Sequence, residues 1–145
     1  MADVFTPEKR SEVMSRIRGR DTRPERLVRS LLHRLGYRFT VAGPKNRLLP
    51  GRPDIVLPKF RTVVFVHGCF WHGHEHCPDF RLPQSRHVWW KHKIEGNRAR
   101  DAGTEAALLA LGWHVVTIWA CAVKTAAARS WLERRIRGLV GKGMP

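Results

Sequence analysis

The chain has 145 residues, enough for one domain with a real core and too few for several. Lys and Arg number 27 against 12 for Asp and Glu, a formal charge of +15 that points to a polyanionic partner, nucleic acid above all. Acidic residues interspersed on the polar faces and the lack of a lipidation signal argue against a membrane surface. They leave a basic protein with no particular partner as the plainer alternative.

Met1-Ala2-Asp3 leads straight into a polar helical pattern, which predicts a cytoplasmic protein without a signal peptide. The uncharged window Ala106–Val123 does not read as a membrane span. Gly112-Trp113-His114 divides it into an Ala/Leu half and a β-branched half, a helix followed by a strand. Three cysteines, an odd number in a reducing compartment, favour metal ligation over disulfides.

In chain order, Thr6-Pro7-Glu8 opens a basic helix with a thin stripe of Val13, Met14 and Ile17, ended by Gly19. Residues 1–20 thus form a basic helical arm on a single domain. A second helix starts at Asp21-Thr22 and buries Leu27, Val28, Leu31, Leu32 and Leu35 before Gly36 stops it. Thr22 and Glu25 have capping-box spacing, the structural reading of Glu25. Strands are predicted at 37–41, 54–57, 62–66 and 115–119, with a Gly/Pro/basic loop over 42–53. A long helix over about 88–111 is predicted to turn Trp90, Ile94, Ala102, Ala106 and Leu109 inward. The last helix, about 125–140, buries Trp131, Leu132, Ile136 and Leu139, and 141–145 form a frayed tail. The strands are apolar without strict alternation, so the order predicts an α/β fold with a central mixed β-sheet flanked by helices on both faces.

The chemistry concentrates after the third strand. Cys69 and Cys77 bracket His72, His74 and His76, and Cys121 closes the fourth strand. If the third and fourth strands are neighbours, three thiolates and one imidazole can enclose a structural Zn²⁺. The plainer alternative is buried cysteines beside incidental histidines. Asp54 opens one strand and Val66-His67 ends the next, an arrangement by which nucleases hold Mg²⁺. His67 and His72 flank that position and titrate near neutrality, as acid/base groups must. A turn-forming Asp54 is the competing reading. Phe70 and Trp71 lie in a polar loop, and Trp89-Trp90 open the long helix. These aromatics, with Met14, serve either as core or as wedges between base pairs.

Three motifs together resemble the very short patch repair (Vsr) endonuclease family. They are Leu49-Pro50-Gly51-Arg52-Pro53-Asp54, Val66-His67-Gly68-Cys69-Phe70-Trp71-His72 and Trp119-Ala120-Cys121, with Asp21-Thr22 ahead of Glu25. The resemblance spans about residues 10–139. It implies a restriction-endonuclease-like three-layer fold with a structural zinc, and a monomer that nicks duplex DNA. The nick lies 5′ of the thymine in T·G mismatches left by 5-methylcytosine deamination. General mismatch-repair factors and a repair polymerase follow as partners. It implies Asp54 as the principal Mg²⁺ ligand with the Val66 carbonyl, His72 as acid/base assisted by His67, and Glu25 at metal-bound water. Cys69, His74, Cys77 and Cys121 become the zinc ligands. Phe70, Trp71 and Trp90 become wedges opposed by Met14, and Lys93 and Asn97 contact DNA. The stretch between Cys69 and Cys77 is one residue longer than usual in the family, which leaves His74 or His76 as the imidazole ligand. A matched-DNA nuclease of related fold and a non-catalytic zinc DNA-binding module are the alternatives. The second leaves Asp54, His67 and His72 without a task.

Overall fold

A computed structural model describes residues 21–141; the predicted basic arm, with Met14, and the end of the tail lie outside them. The described elements are α1 (Arg23–Arg34), α2 (Pro44–Leu48), β1 (Ile55–Leu57), β2 (Thr62–His67), α3 (His87–Ala110), β3 (His114–Trp119) and α4 (Ala126–Gly141). Short 3₁₀ turns follow β1 and β3.

β2 is the middle strand of a three-stranded mixed sheet. β1 pairs with it antiparallel, Ile55 opposite Val64, and β3 pairs parallel, from Thr62 opposite His114 to His67 opposite Trp119. Successive side chains alternate faces. Ile55, Leu57, Val64, Val116 and Ile118 therefore meet Val28, Leu31 and Leu32 of α1 and Leu132, Ile136 and Val140 of α4. Val56, Val63 and Phe65 meet Leu108 of α3 and Trp113 on the other side. Cover on both faces is why the strands are apolar throughout. Ile136 is fully buried at the centre of the larger cluster. Ile136→Ala is expected to cost about 2–5 kcal/mol in denaturant unfolding, through lost burial and the cavity left behind.

Four sequence expectations change. Residues 37–41 do not form a strand: only Thr40 bridges Val56, and Tyr37 instead enters the core edge-on to Phe60. The reason is Gly43-Pro44, which turns the chain at once into α2, a helix inside the expected loop. On α3, Ala102, Ala106 and Leu109 face solvent while Ile94 and Leu108 are buried. The inward stripe runs through Asn97, Asp101 and Thr104, polar residues, because that stretch of the helix faces a cleft and not the core. Trp131 is 51% exposed, with the Arg135 guanidinium over its ring at 4.3 Å. Leu132, Ile136 and Val140 form the buried stripe of α4 in its place. No helix among the described residues is long and apolar enough to cross a membrane.

Candidate active site and metal centre

The C-terminal end of β2 splits the following residues into two sets. His72 N donates to Gly68 O, Gly73 N to Phe70 O and His74 N to Cys69 O, so the loop coils tightly as it leaves the strand. Gly73 makes the coil possible. Its φ is +62°, and a Cβ there would sit 2.5 Å from Arg98 Nε, whose guanidinium donates to Gly73 O. The coil sends His67 and His72 toward a cleft bounded by α1 and α3, and Cys69 and His74 toward Cys121.

In the cleft, Val66 N donates to Asp54 Oδ2 at 2.8 Å, which fixes the carboxylate at the strand end. The Val66 side chain packs into the core, so what this residue offers the cleft is backbone. The rings of His67 and His72 stack at 3.7 Å, 3° from parallel. His72 Nδ1 lies 2.7 Å from Asp101 Oδ2. An ionised carboxylate can only accept, so Nδ1 carries the hydrogen and Nε2 of the neutral ring carries the lone pair. Burial, then the charge of His72, pulls His67 down to about 4 against the opposing pull of Asp101, so at neutral pH its imidazole is uncharged.

Glu25, Asp54, Val66, His67, His72 and Asp101 all line this one cleft of about 490 Å³. Glu25 does two jobs. Its N–H donates to Thr22 Oγ1 as in a cap, but its carboxylate accepts from Asp21 N rather than from the cap residue itself. The capping box is thus incomplete, and the carboxylate stands at the cleft wall.

Among the described residues, two groups of side chains lie close enough together to be weighed as ion sites. Ligand atoms of Cys69, His74, Cys77 and Cys121 all lie within 4.8 Å of one another. Cys121 Sγ is 3.6 Å from His74 Nδ1, close to the separation that tetrahedral zinc with bonds of about 2.0–2.3 Å imposes. Burial and neighbouring thiols push the Cys121 thiol up to about 12, and burial raises Cys69. Three sulfurs and one imidazole crowded together are the soft donors that a tetrahedral divalent cation takes, so the donor set fits zinc. His76 lies outside the cluster. The ring of Trp119 stacks on His74 at 4.1 Å, and Lys124 Nζ ties the loop at Asp79 to the turn after β3. His67, His72 and Asp101 also lie within 4.8 Å of one another. Their rings are parallel, however, and in-plane lone pairs on parallel rings do not converge on one ion. Of the three, His72 and Asp101 are joined by a hydrogen bond, and the ring of His67 lies face-on against His72.

The aromatics gather beside the cleft. Phe70, Trp71 and Trp90 contact one another at centroid distances of 5.2–5.8 Å, half-buried and outside both core clusters. Asn97 Nδ2 donates to Trp71 O at 2.8 Å, and its Oδ1 accepts from Arg100, so here Asn97 holds the loop. Lys93 is half-buried on the same helix.

Asp101 is absent from the sequence reading. The signal was available: from Ile94 to Leu108 the inward stripe passes through Asn97, Asp101 and Thr104, and a carboxylate on an inward stripe needs a partner. The apolar periodicity, fitted to alanines, masked it.

The family model described as DNA mismatch endonuclease Vsr matches residues 2–79. The chain is 50% identical over 140 residues to type II nicking enzyme V.XorIIP of Xanthomonas oryzae pv. oryzae, covering 97% of this chain and 98% of that protein. It is 42% identical over 138 residues to type II nicking enzyme V.NmeAIP of Neisseria meningitidis serogroup A, covering 94% and 96%. With the DNA mismatch endonuclease Vsr of Escherichia coli it shares 44% identity over 124 residues, 86% of this chain and 77% of that one. The strand-end carboxylate, the paired imidazoles and the Cys/His cluster thus occur in a chain that belongs to the Vsr family of DNA mismatch endonucleases.

Proposed function

We propose that the protein is a Mg²⁺-dependent, strand-specific endonuclease that nicks duplex DNA 5′ of the thymine in a T·G mismatch and so starts very short patch repair. The observation that carries this reading is the convergence of Asp54, His67, His72 and Asp101 in one cleft. The relatives named as a mismatch endonuclease and as nicking enzymes support it.

A carboxylate and a backbone carbonyl are hard oxygen donors that suit Mg²⁺, and Asp54 with Val66 would hold it. When bound, the ion polarises the scissile phosphate and stabilises charge on the leaving oxygen. The rest is done by the chain's own groups. His72 Nε2 accepts the proton of the attacking water, and Asp101 stabilises the imidazolium that results. The neutral ring of His67, stacked on His72, adds no positive charge that would oppose this protonation. Glu25 receives water at the far wall. Phe70, Trp71 and Trp90, opposed by Met14, wedge into the stack beside the weakly paired T·G step, Lys93 holds the flanking DNA, and Asn97 steadies the loop that carries Trp71. Cys69, His74, Cys77 and Cys121 would hold zinc, which would keep the loop rigid while the aromatics enter the duplex.

The test is a panel of duplexes carrying T·G in varied contexts beside matched controls. Nicking of T·G substrates on the thymine strand, absent from matched DNA, is the expected result. Cutting of matched DNA with no response to T·G contradicts the assignment. A second prediction concerns the bond between His72 and Asp101. Asp101→Asn presents an amide that can offer His72 the wrong tautomer. It should lower kcat about 10²-fold, within the range of general acid–base contributions, and leave KM for the duplex unchanged.

A further inference from the structure

We propose that Asn46 is a positioning residue for Asp54, acting through the backbone of the segment that presents the carboxylate; this rests on the metal role assigned to Asp54 above. Asn46 is fully buried, one of two polar residues that are so among the described residues. A buried amide persists only when its donors and acceptor are satisfied, and this one is saturated. Nδ2 donates to Thr40 O at 2.9 Å and Pro53 O at 3.0 Å, with Asp54 O at 3.4 Å. Oδ1 accepts from Thr40 Oγ1 at 2.6 Å and from Gly43 N at 3.3 Å.

Thr40 in turn exchanges two backbone hydrogen bonds with Val56 on β1. One side chain thus joins the start of α2, the strand edge and the two residues that lead into β1. Asp54 is held at both ends: its carbonyl side by Asn46 and its carboxylate by Val66 N. Only an amide supplies donors on one side and an acceptor on the other at this reach. Groups that orient a metal ligand set affinity through geometry, and their loss costs about 10–100-fold in metal affinity or activity.

The test uses the full chain with its zinc, bound to a T·G duplex carrying a non-hydrolysable linkage at the nick site. Mn²⁺ binding is read by the spin-resonance signal of free Mn²⁺, and nicking of cleavable duplex is titrated with Mg²⁺. Asn46→Ala is expected to weaken Mn²⁺ binding and raise the half-saturating Mg²⁺ about 10–100-fold, with duplex affinity in EDTA unchanged. Arg47→Ala, which removes the Arg47–Ala42 bond on the same helix without touching Asp54, should leave the metal response as it was. If Asn46→Ala does not accumulate as folded protein, Asn46→Ser carries the same prediction. It keeps a hydroxyl near Thr40 but shortens the reach to Pro53 and Asp54. Unchanged Mn²⁺ binding in the Asn46 variants overturns the proposal, as does equal weakening in Arg47→Ala. Asp54→Ala separates the two levels. Altered Mn²⁺ binding there with none in Asn46→Ala rejects Asn46 alone. Unaltered binding in Asp54→Ala removes the metal reading and this proposal with it.

Discussion

Asp54→Asn is expected to abolish nicking, by about 10³-fold or more, in a protein that still folds and still binds duplex DNA. The size follows from what the carboxylate is asked to supply. It is the acidic side chain that accepts from Val66 N at the end of β2, and its charge would anchor the ion that polarises the scissile phosphate. The choice of asparagine follows from the geometry. Val66 N needs an acceptor, and the asparagine amide oxygen can occupy the place of Oδ2. Asp54→Ala removes that acceptor and leaves a partly buried N–H unmet, at about 1–3 kcal/mol. The pair of variants therefore separates chemistry from folding. Both should fail in single-turnover nicking, and only the alanine should also lose stability in denaturant titration. Normal nicking by Asp54→Asn would refute the assigned role.

Cys121→Ser is expected to do the reverse, with its largest effect on stability. The sulfur belongs to the four-residue cluster at the end of β3. Without a cation, burial and the adjacent thiols hold Cys121 at about 12, so that thiol stays protonated at neutral pH. Ligation couples thiol ionisation to folding, and structural zinc supplies about 10–16 kcal/mol of apparent binding free energy in small domains. Losing one of four ligands should release the metal and lower stability by several kcal/mol, because the loop between β2 and α3 then relies on contacts such as Lys124–Asp79. Metal analysis and thermal unfolding of the purified variant check this. Retention of one zinc per chain at unchanged stability would contradict it.

The contrast between these variants reflects what could be read in the sequence. The β2 strand, its partners and the junction at Val66-His67 were legible because an apolar run that ends in histidine and cysteine has few other uses. The neighbour of β2 stood in the sequence only as a condition for bringing Cys121 to Cys69, and the sheet meets it by pairing β3 parallel, with His67 opposite Trp119. What stayed hidden depended on polar groups facing inward. Asp101 sits mid-helix, where charge usually means solvent. Its partner His72 is 29 residues away in sequence, a separation that periodicity cannot bridge. Asn46 read as part of a loop because Gly43-Pro44 looked like a turn, and its five bonds appear only once Thr40 and Pro53 are in place. Trp131 failed for the opposite reason. Its bulk suggested a core, whereas Arg135 covers its exposed ring. At Asp101 and Asn46 the local rule breaks because an inward polar group finds its partners only in the folded chain.

Two interleaved sets of side chains stand at one strand end, the Cys/His cluster proposed to hold zinc and the cleft proposed to take the substrate. The most direct test is to follow metal content and nicking together through EDTA treatment and metal add-back. One zinc per chain should survive the EDTA that stops nicking of a T·G duplex, and Mg²⁺ alone should restore it. If activity and zinc are lost together, and only zinc brings the activity back, the Cys/His cluster is the catalytic centre and the division is wrong.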